Sequence, residues 1–431
     1  MLPNAVGGPA DFLARTAGLL FGLGLGGARV VSDRAGVVPG ALLVNILFLD
    51  QFSDLGGAQQ CLLDLLPAVE TRGWRAFCAV PGNGPLIERL RSLNVPVLEL
   101  ELPRLGSGRK STGNVLSFAR SLPRTARTLL RLARSHQIDL LYVNGPRVLS
   151  AAAWTARRTG VPIVFHCHNE LAQPAAAHVA GRSIRFANAA VIACCRSVMK
   201  PLERYIFPGH LHLIYNGVRG PSNAIAMPPA RHEKCRIGVV GRISLEKGQV
   251  EFLHAVKILH GRVAGCEFVV CGSPLFEDRQ AQDYLARTGA LAAGLPVEFL
   301  GWQQDIYAVL AGLDLLVVPS IREPGAPRII LEAFAARVPV VAFPTGGIPE
   351  LITDRKTGFL VEPLTPEALA GRIEELLKTP DQSQAAAFEA HQCWRENFTL
   401  ERYQREVLEV VGLTQTRLAT GRSIRKRLPS T

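Results

Sequence analysis

Two cations five residues apart, Arg242 and Lys247, stand in the run Val239-Val240-Gly241-Arg242-Ile243-Ser244-Leu245-Glu246-Lys247-Gly248. The apolar residues before them read as a strand and those after as a helix. The loop therefore falls at a strand's carboxyl end, beside a helix N-terminus that favours anions. A guanidinium clamps phosphate oxygens in pairs and an ammonium adds a mobile point charge, so the chemistry offered is phosphate binding; a solvated turn is the bland alternative. A second strand end, Val317-Val318-Pro319-Ser320, leads into Arg322-Glu323-Pro324-Gly325-Ala326-Pro327-Arg328-Ile329-Ile330-Leu331-Glu332-Ala333. This is a turn followed by an apolar helix with Glu332 in its first turns. A buried carboxylate there can accept two vicinal sugar hydroxyls, while a helix-dipole partner is the plainer role for Glu332 alone. A glycine turn, Thr345-Gly346-Gly347-Ile348-Pro349-Glu350, follows the next strand and faces the same cleft.

The elements that must position these residues alternate along the chain. Asn45 to Leu49 reads as a buried strand, and Gly56-Gly57 then opens a helix carrying Leu62, Leu63, Leu65 and Leu66. Further strands are expected at Phe77–Val80, Val95–Leu100, Leu140–Val143, Ile163–Phe165, Ala190–Ala193 and Leu211–Tyr215. After a polar, Pro-rich break the rhythm restarts at Arg236–Val240. It continues at Phe268–Cys271, Val297–Leu300, Leu315–Val318, Val338–Ala342 and Gly358–Val361. Strand and helix in alternation mean parallel sheets with crossover helices. The expected fold class is α/β, two doubly wound Rossmann-like domains facing across a cleft, with ligands outside the carboxyl ends of the strands. The domains are placed at 43–218 and 236–385, joined by a linker at 219–235. An N-terminal extension (1–42) precedes them, and a helical segment (386–412) and a basic tail (413–431) follow.

Composition narrows the function classes. The chain has 431 residues, 48% hydrophobic and 19% charged, which excludes a largely disordered protein. Its formal charge of +12 is uneven, with +10 on residues 43–218 and −4 on 236–385. Nine cysteines with no Cys-x-x-Cys pair argue against a disulfide framework or structural zinc, and for small buried hydrophobes in a reduced cytosol. Gly22-Leu23-Gly24-Leu25-Gly26-Gly27 matches a dinucleotide fingerprint. However, Gly36, Pro39 and Gly40 break the chain before a crossover helix could form, so it reads as a flexible glycine-rich leader. The apolar run from Thr16 to Ala28 spans thirteen residues, short of the roughly twenty that cross a bilayer. Asp11 stands where a signal peptide would be basic. A cytoplasmic location is therefore expected.

Together with Gly56-Gly57-Ala58, Tyr215-Asn216-Gly217-Val218 and Phe299-Leu300-Gly301-Trp302, the three cleft segments resemble glycosyltransferase family 4 in their order and spacing, over about residues 44–412. The resemblance implies the GT-B fold and a nucleoside-diphosphate-sugar donor, UDP- or GDP-linked. It also implies front-face transfer with retained anomeric configuration, and no strict need for a metal cofactor. Arg242 and Lys247 would hold the donor diphosphate, Glu332 the ribose hydroxyls, and Glu323 would lie beside the transferred sugar. Gly325 and Ala326 would present backbone amides to that sugar, and Gly56 and Gly57 would let backbone approach the phosphates. His168, in Phe165-His166-Cys167-His168-Asn169, falls where the family places a cleft histidine near the acceptor; His166, two residues away on the same strand face, is the other candidate. The segment 386–412 would pack back toward the first domain. The implied acceptor is a glycan or lipid-linked molecule of bacterial surface polysaccharide or glycolipid synthesis. One departure stands out: eight residues separate Glu323 from Glu332 where the family has seven, and a bulge at Gly325-Ala326-Pro327 would restore the geometry. The rival functions are a nucleotide-sugar epimerase or hydrolase on the same fold, and a catalytically silent glycan-binding scaffold.

Arg120, Arg124, Arg127, Arg131 and Arg134 recur at helical spacing, with Leu122, Leu129, Leu130 and Leu132 on the apolar side. Pro123 is expected to split this helix or to start it. With Arg104, Arg109 and Lys110 just upstream, the stripe suits an anionic membrane surface; a solvated helix face is the bland reading. Without interleaved aromatics it does not suit nucleic acid.

Overall fold

The computed structural model describes residues 44–103, 112–221, 234–274 and 279–425. The N-terminal extension with its Gly22–Gly27 run, the cations Arg104, Arg109 and Lys110, residues 222–233 of the linker and residues 426–431 of the tail lie outside the described residues.

Seven strands form the first sheet: β1 (Asn45–Leu49), β2 (Arg75–Val80), β3 (Val97–Glu99), β4 (Leu140–Val143), β5 (Ile163–Cys167), β6 (Ala190–Ala193) and β7 (Leu211–Leu213). Their spatial order is β3-β2-β1-β4-β5-β6-β7, and every pair is parallel. Six more form the second: β8 (Cys235–Val240), β9 (Cys266–Cys271), β10 (Val297–Gly301), β11 (Leu315–Val318), β12 (Val340–Ala342) and β13 (Phe359–Leu360). They run β10-β9-β8-β11-β12-β13, again all parallel. Central strands such as Leu140–Val143 and Leu315–Val318 are buried along their whole length, which is why they read as continuous apolar runs rather than alternating ones. The α/β, doubly wound expectation holds. Each sheet reverses its winding once, between β1 and β4 and between β8 and β11, and ligands of such sheets bind at these switch points.

The helix Pro380–Asn397 packs on the helices Pro366–Lys378 and Arg328–Ala336 beside the second sheet. The next helix, Leu400–Arg425, instead covers the first sheet, burying Tyr403, Val407, Leu408, Val410 and Val411 against β5, β6 and the helix Gly57–Thr71. At this return the chain is strapped to its earlier crossing. Val218 N donates to the Phe398 carbonyl at 3.0 Å, and Leu400 N to the Val218 carbonyl at 3.1 Å. Gly217 is needed there, since a Cβ would lie 2.3 Å from the Thr399 carbonyl oxygen.

The structure corrects the reading of Pro123. One helix, Thr112–Ser135, runs straight through it. The missing N–H costs one backbone bond, that to the Ala119 carbonyl. Burial of Ala126, Leu129 and Ala133 anchors the continuing turns. All nine cysteines are unpaired thiols, six of them buried.

Candidate active site

At the second switch point, the loop after β8 and the loop after β11 are locked together. Gly248, in the left-handed region at φ 72°, lies so close to Pro319 that a Cβ would sit 1.9 Å from its carbonyl oxygen. Arg322 N donates to the Glu246 carbonyl at 3.3 Å. This brings Lys247 onto Glu323: Nζ lies 2.6 Å from Oε2, an oxygen that also accepts from the buried Ser320 hydroxyl at 3.1 Å. Glu323 is 5% exposed and Lys247 22%, so the carboxylate is set and the ammonium can still reach outward. Arg242 lies beside them, 3.8 Å from Glu246 and partly exposed. A phosphate arriving here meets one guanidinium and one ammonium, and can draw the ammonium from its carboxylate.

Glu332 is held apart from this pair. Its Oε1 lies 3.6 Å from Arg328 Nε, and Arg328 reaches on to Asp64 at 2.8 Å, the Gly217 carbonyl at 3.3 Å and the Cys61 sulfur at 3.4 Å. Burial pushes the Glu332 pKa up, and the Arg328 charge opposes that rise. Arg328 begins the helix Arg328–Ala336, and its guanidinium joins the two sheets' domains through the helix Gly57–Thr71. Gly57 faces the Arg328 stem, at 3.8 Å from where its Cβ would stand. The segment Gly325-Ala326-Pro327 precedes the helix, with Pro327 as its N-cap. Gly325 touches the opposite domain: a Cβ there would lie 2.3 Å from the His168 carbonyl oxygen. The Gly325 carbonyl accepts from Gly347 N at 2.9 Å, and the Ala326 carbonyl from Asn216 Nδ2 at 3.3 Å. Below it, Glu350 accepts from Arg196 N (2.8 Å), Ser197 N (3.2 Å) and the Tyr215 hydroxyl (2.9 Å), so the glycine turn's own acid bridges the domains.

The two histidines separate by depth. His166 has no exposed surface and binds the Tyr142 hydroxyl through Nδ1 at 2.6 Å, so an acceptor-side place for it is corrected: it is a core residue. His168 is half-buried at the end of β5, stacked on His166 with ring centroids 3.8 Å apart, and its Nε2 lies 2.7 Å from Asn144 Oδ1. Its pKa is pushed down to about 3 by burial and by the Arg328 charge, so the ring is neutral at ordinary pH. Beside its strand end a cavity of about 440 Å³ opens, lined by Glu170, Leu171, Lys200 and Arg204 among others.

The structure thus joins Lys247 to Glu323, Gly325 to His168 and Gly57 to Arg328. No direct bond links the Glu323 and Glu332 centres among the described residues. Sequence reasoning missed Arg328, Asp64, Asp50, Asn144 and Glu350. Arg328 did leave a trace, a lone cation opening an apolar helix; the others are polar residues whose partners lie far along the chain.

Two family models match this chain. One, described as glycosyltransferase family 4, matches residues 55–219, and the other, glycosyl transferases group 1, matches 234–379. By these two matches the chain belongs with the family 4-like glycosyltransferases. Among relatives, the putative glycosyltransferase EpsD of Bacillus subtilis is 31% identical over 139 residues, 32% of this chain and 35% of the relative. The alpha-D-kanosaminyltransferase of Streptomyces kanamyceticus is 30% identical over 150 residues, 33% of this chain and 36% of the relative. The matched stretch therefore spans about a third of the length of these curated relatives. Among solved structures, Anabaena HepE in complex with UDP-glucose superposes with a TM-score of 0.71 at 24% identity, over 85% of this chain and 99% of that one. That likeness gives this family 4-like chain its GT-B fold.

Proposed function

We propose that the protein transfers a sugar from a nucleoside-diphosphate-sugar to a glycan or lipid-linked acceptor, with retained anomeric configuration, in surface polysaccharide or glycolipid synthesis. The observation that carries this reading is the convergence of Arg242, Lys247 and Glu323 on one switch point, with His168 of the other domain closing onto Gly325. Departure of a nucleoside diphosphate builds negative charge on its β-phosphate, and Arg242 and Lys247 offset that charge without strict need of a divalent metal. Glu332 binds the ribose hydroxyls, and Glu323, held by Lys247 and Ser320, faces the sugar. The backbone of Gly325 and Ala326 lines the transfer site, and Gly56 and Gly57 admit the phosphates closely. HepE carries UDP-glucose in its structure, which favours a UDP-sugar here. The cavity lined by Glu170, Lys200 and Arg204, on the same domain as His168, would give an acceptor a place to enter, and domain closure would keep water out. The exposed arginines of the helix Thr112–Ser135 would hold the enzyme against the inner face of an anionic membrane, where lipid-linked acceptors reside. No helix among the described residues is long and apolar enough to cross a membrane.

The test is transfer from a panel of UDP- and GDP-sugars in EDTA, with and without a lipid-linked glycan. Wild type should transfer from one donor, and Glu332→Ala should lose about a hundredfold or more while staying folded. Unchanged transfer in that variant, or donor turnover that ignores the acceptor, would refute the reading.

A further inference from the structure

The first sheet's switch point holds a buried hydrogen-bond chain centred on Asp50. Asp50, just after β1, has no exposed surface, and the groups on its carboxylate are donors: Phe52 N at 3.0 Å and Gln59 Nε2 at 2.8 Å on Oδ1, and Asn144 Nδ2 at 2.6 Å on Oδ2. Asn144, just after β4 and 1% exposed, also donates Nδ2 to the Ala58 carbonyl at 3.2 Å. These two acceptors decide which end of the amide is nitrogen, because a flipped amide would set its oxygen against a carboxylate and a carbonyl. The amide oxygen therefore faces His168 Nε2 at 2.7 Å. An amide oxygen only accepts, so Nε2 carries the proton. Nδ1 then keeps its lone pair and has no hydrogen-bond partner among the described residues.

We propose that Asn144, itself oriented by Asp50, is a positioning residue that holds His168 in the Nε2–H tautomer and leaves Nδ1 as the ring's hydrogen-bond acceptor. This rests on the reading of His168 as a cleft residue on the acceptor side. The tautomer decides what the ring can do. With Nδ1 unprotonated it accepts a hydrogen bond from a sugar hydroxyl; with the proton moved to Nδ1 it would present a donor to the same group. Nothing packed on the ring favours a second proton, since its neighbours are the neutral, buried His166 and the Arg328 charge. Gln59 extends the chain to the donor side: its Oε1 accepts from Gly56 N at 3.2 Å while its Nε2 holds Asp50. One buried carboxylate thus fixes both the glycine turn and the histidine.

Selective 15N-histidine labelling of the full-length protein reads the tautomer from the two ring-nitrogen shifts, with His168 assigned by its loss in His168→Gln. Wild type should show His168 as Nε2–H alone. Asn144→Ala should move the ring toward Nδ1–H and lower turnover about tenfold or more, with the donor KM within about threefold. Asn144→Asp keeps an oxygen toward Nε2, with one proton shared between residues 50 and 144, and should restore the wild-type ring signature. A wild-type Nδ1–H ring overturns the proposal and needs no variant to fold. An Nε2–H ring unmoved in folded Asn144→Ala overturns it as well. A tautomer lost with turnover intact would sustain the hydrogen-bond chain and remove His168 from the reaction.

Discussion

At the scale of single residues, burial decides how the two histidines at the end of the fifth strand titrate. His168 is held down to about 3 and His166 well below its usual value, both by burial first. In the unfolded chain these rings take up protons near pH 6.5, so between about 6.5 and 3 the unfolded state binds protons that the folded state refuses. The stability these two neutral rings contribute should therefore be lost as pH drops through that window. His168→Gln should flatten the fall, as measured by urea midpoints at pH 5 and 7.5; an equal drop in both proteins would contradict it. The setting of Arg242, Lys247, Glu323 and Glu332 was legible in the sequence because strand, loop and helix follow each other locally there. Asn144 was not, because a polar residue ending an apolar strand says nothing until Asp50 and His168, far away in sequence, are seen beside it. His166 and His168 could not be told apart by spacing, since only the sheet edge decides which ring is covered.

Elements show the opposite balance, with periodicity carrying most of the information. Along the helix Thr112–Ser135, Ala126, Leu129 and Ala133 face the core while Arg120, Arg124, Arg127, Arg131 and Arg134 are all exposed. Among the described residues only Arg124 has an acid near it, Glu101 at 3.7 Å, and both are exposed, so the pair neutralises little. Four arginines keep their full charge toward solvent, each worth about 1 kcal/mol at an acidic lipid surface. Vesicles with anionic lipid should co-sediment the protein while neutral vesicles should not, and replacing Arg124, Arg127 and Arg131 with Gln should abolish the difference. Equal sedimentation with both lipids would remove the docking role. What the pattern could not convey was continuity through Pro123, where the packing of Ala126, Leu129 and Ala133 outweighs one lost backbone bond.

For the whole molecule, alternating strands and helices made both sheets legible, whereas the joint between them was not. That joint turns on Arg328, whose fork meets Asp64 on one domain and Glu332 on its own, all three with side chains less than a fifth exposed. Arg328→Ala would leave two poorly solvated carboxylates without their cation, at a cost on the order of 3 kcal/mol. Urea unfolding should show that loss, with Arg328→Lys in between, because an ammonium cannot fork; an unchanged midpoint for the alanine variant would end the argument. Beside Arg328, the chain's two crossings are strapped into one line at Val218, Phe398 and Leu400. Arg328, bonded to the Gly217 carbonyl, sits on that line. Off the line, Gly325 lies against the other domain, and a single methyl there, 2.3 Å from the His168 carbonyl oxygen, would wedge the two apart.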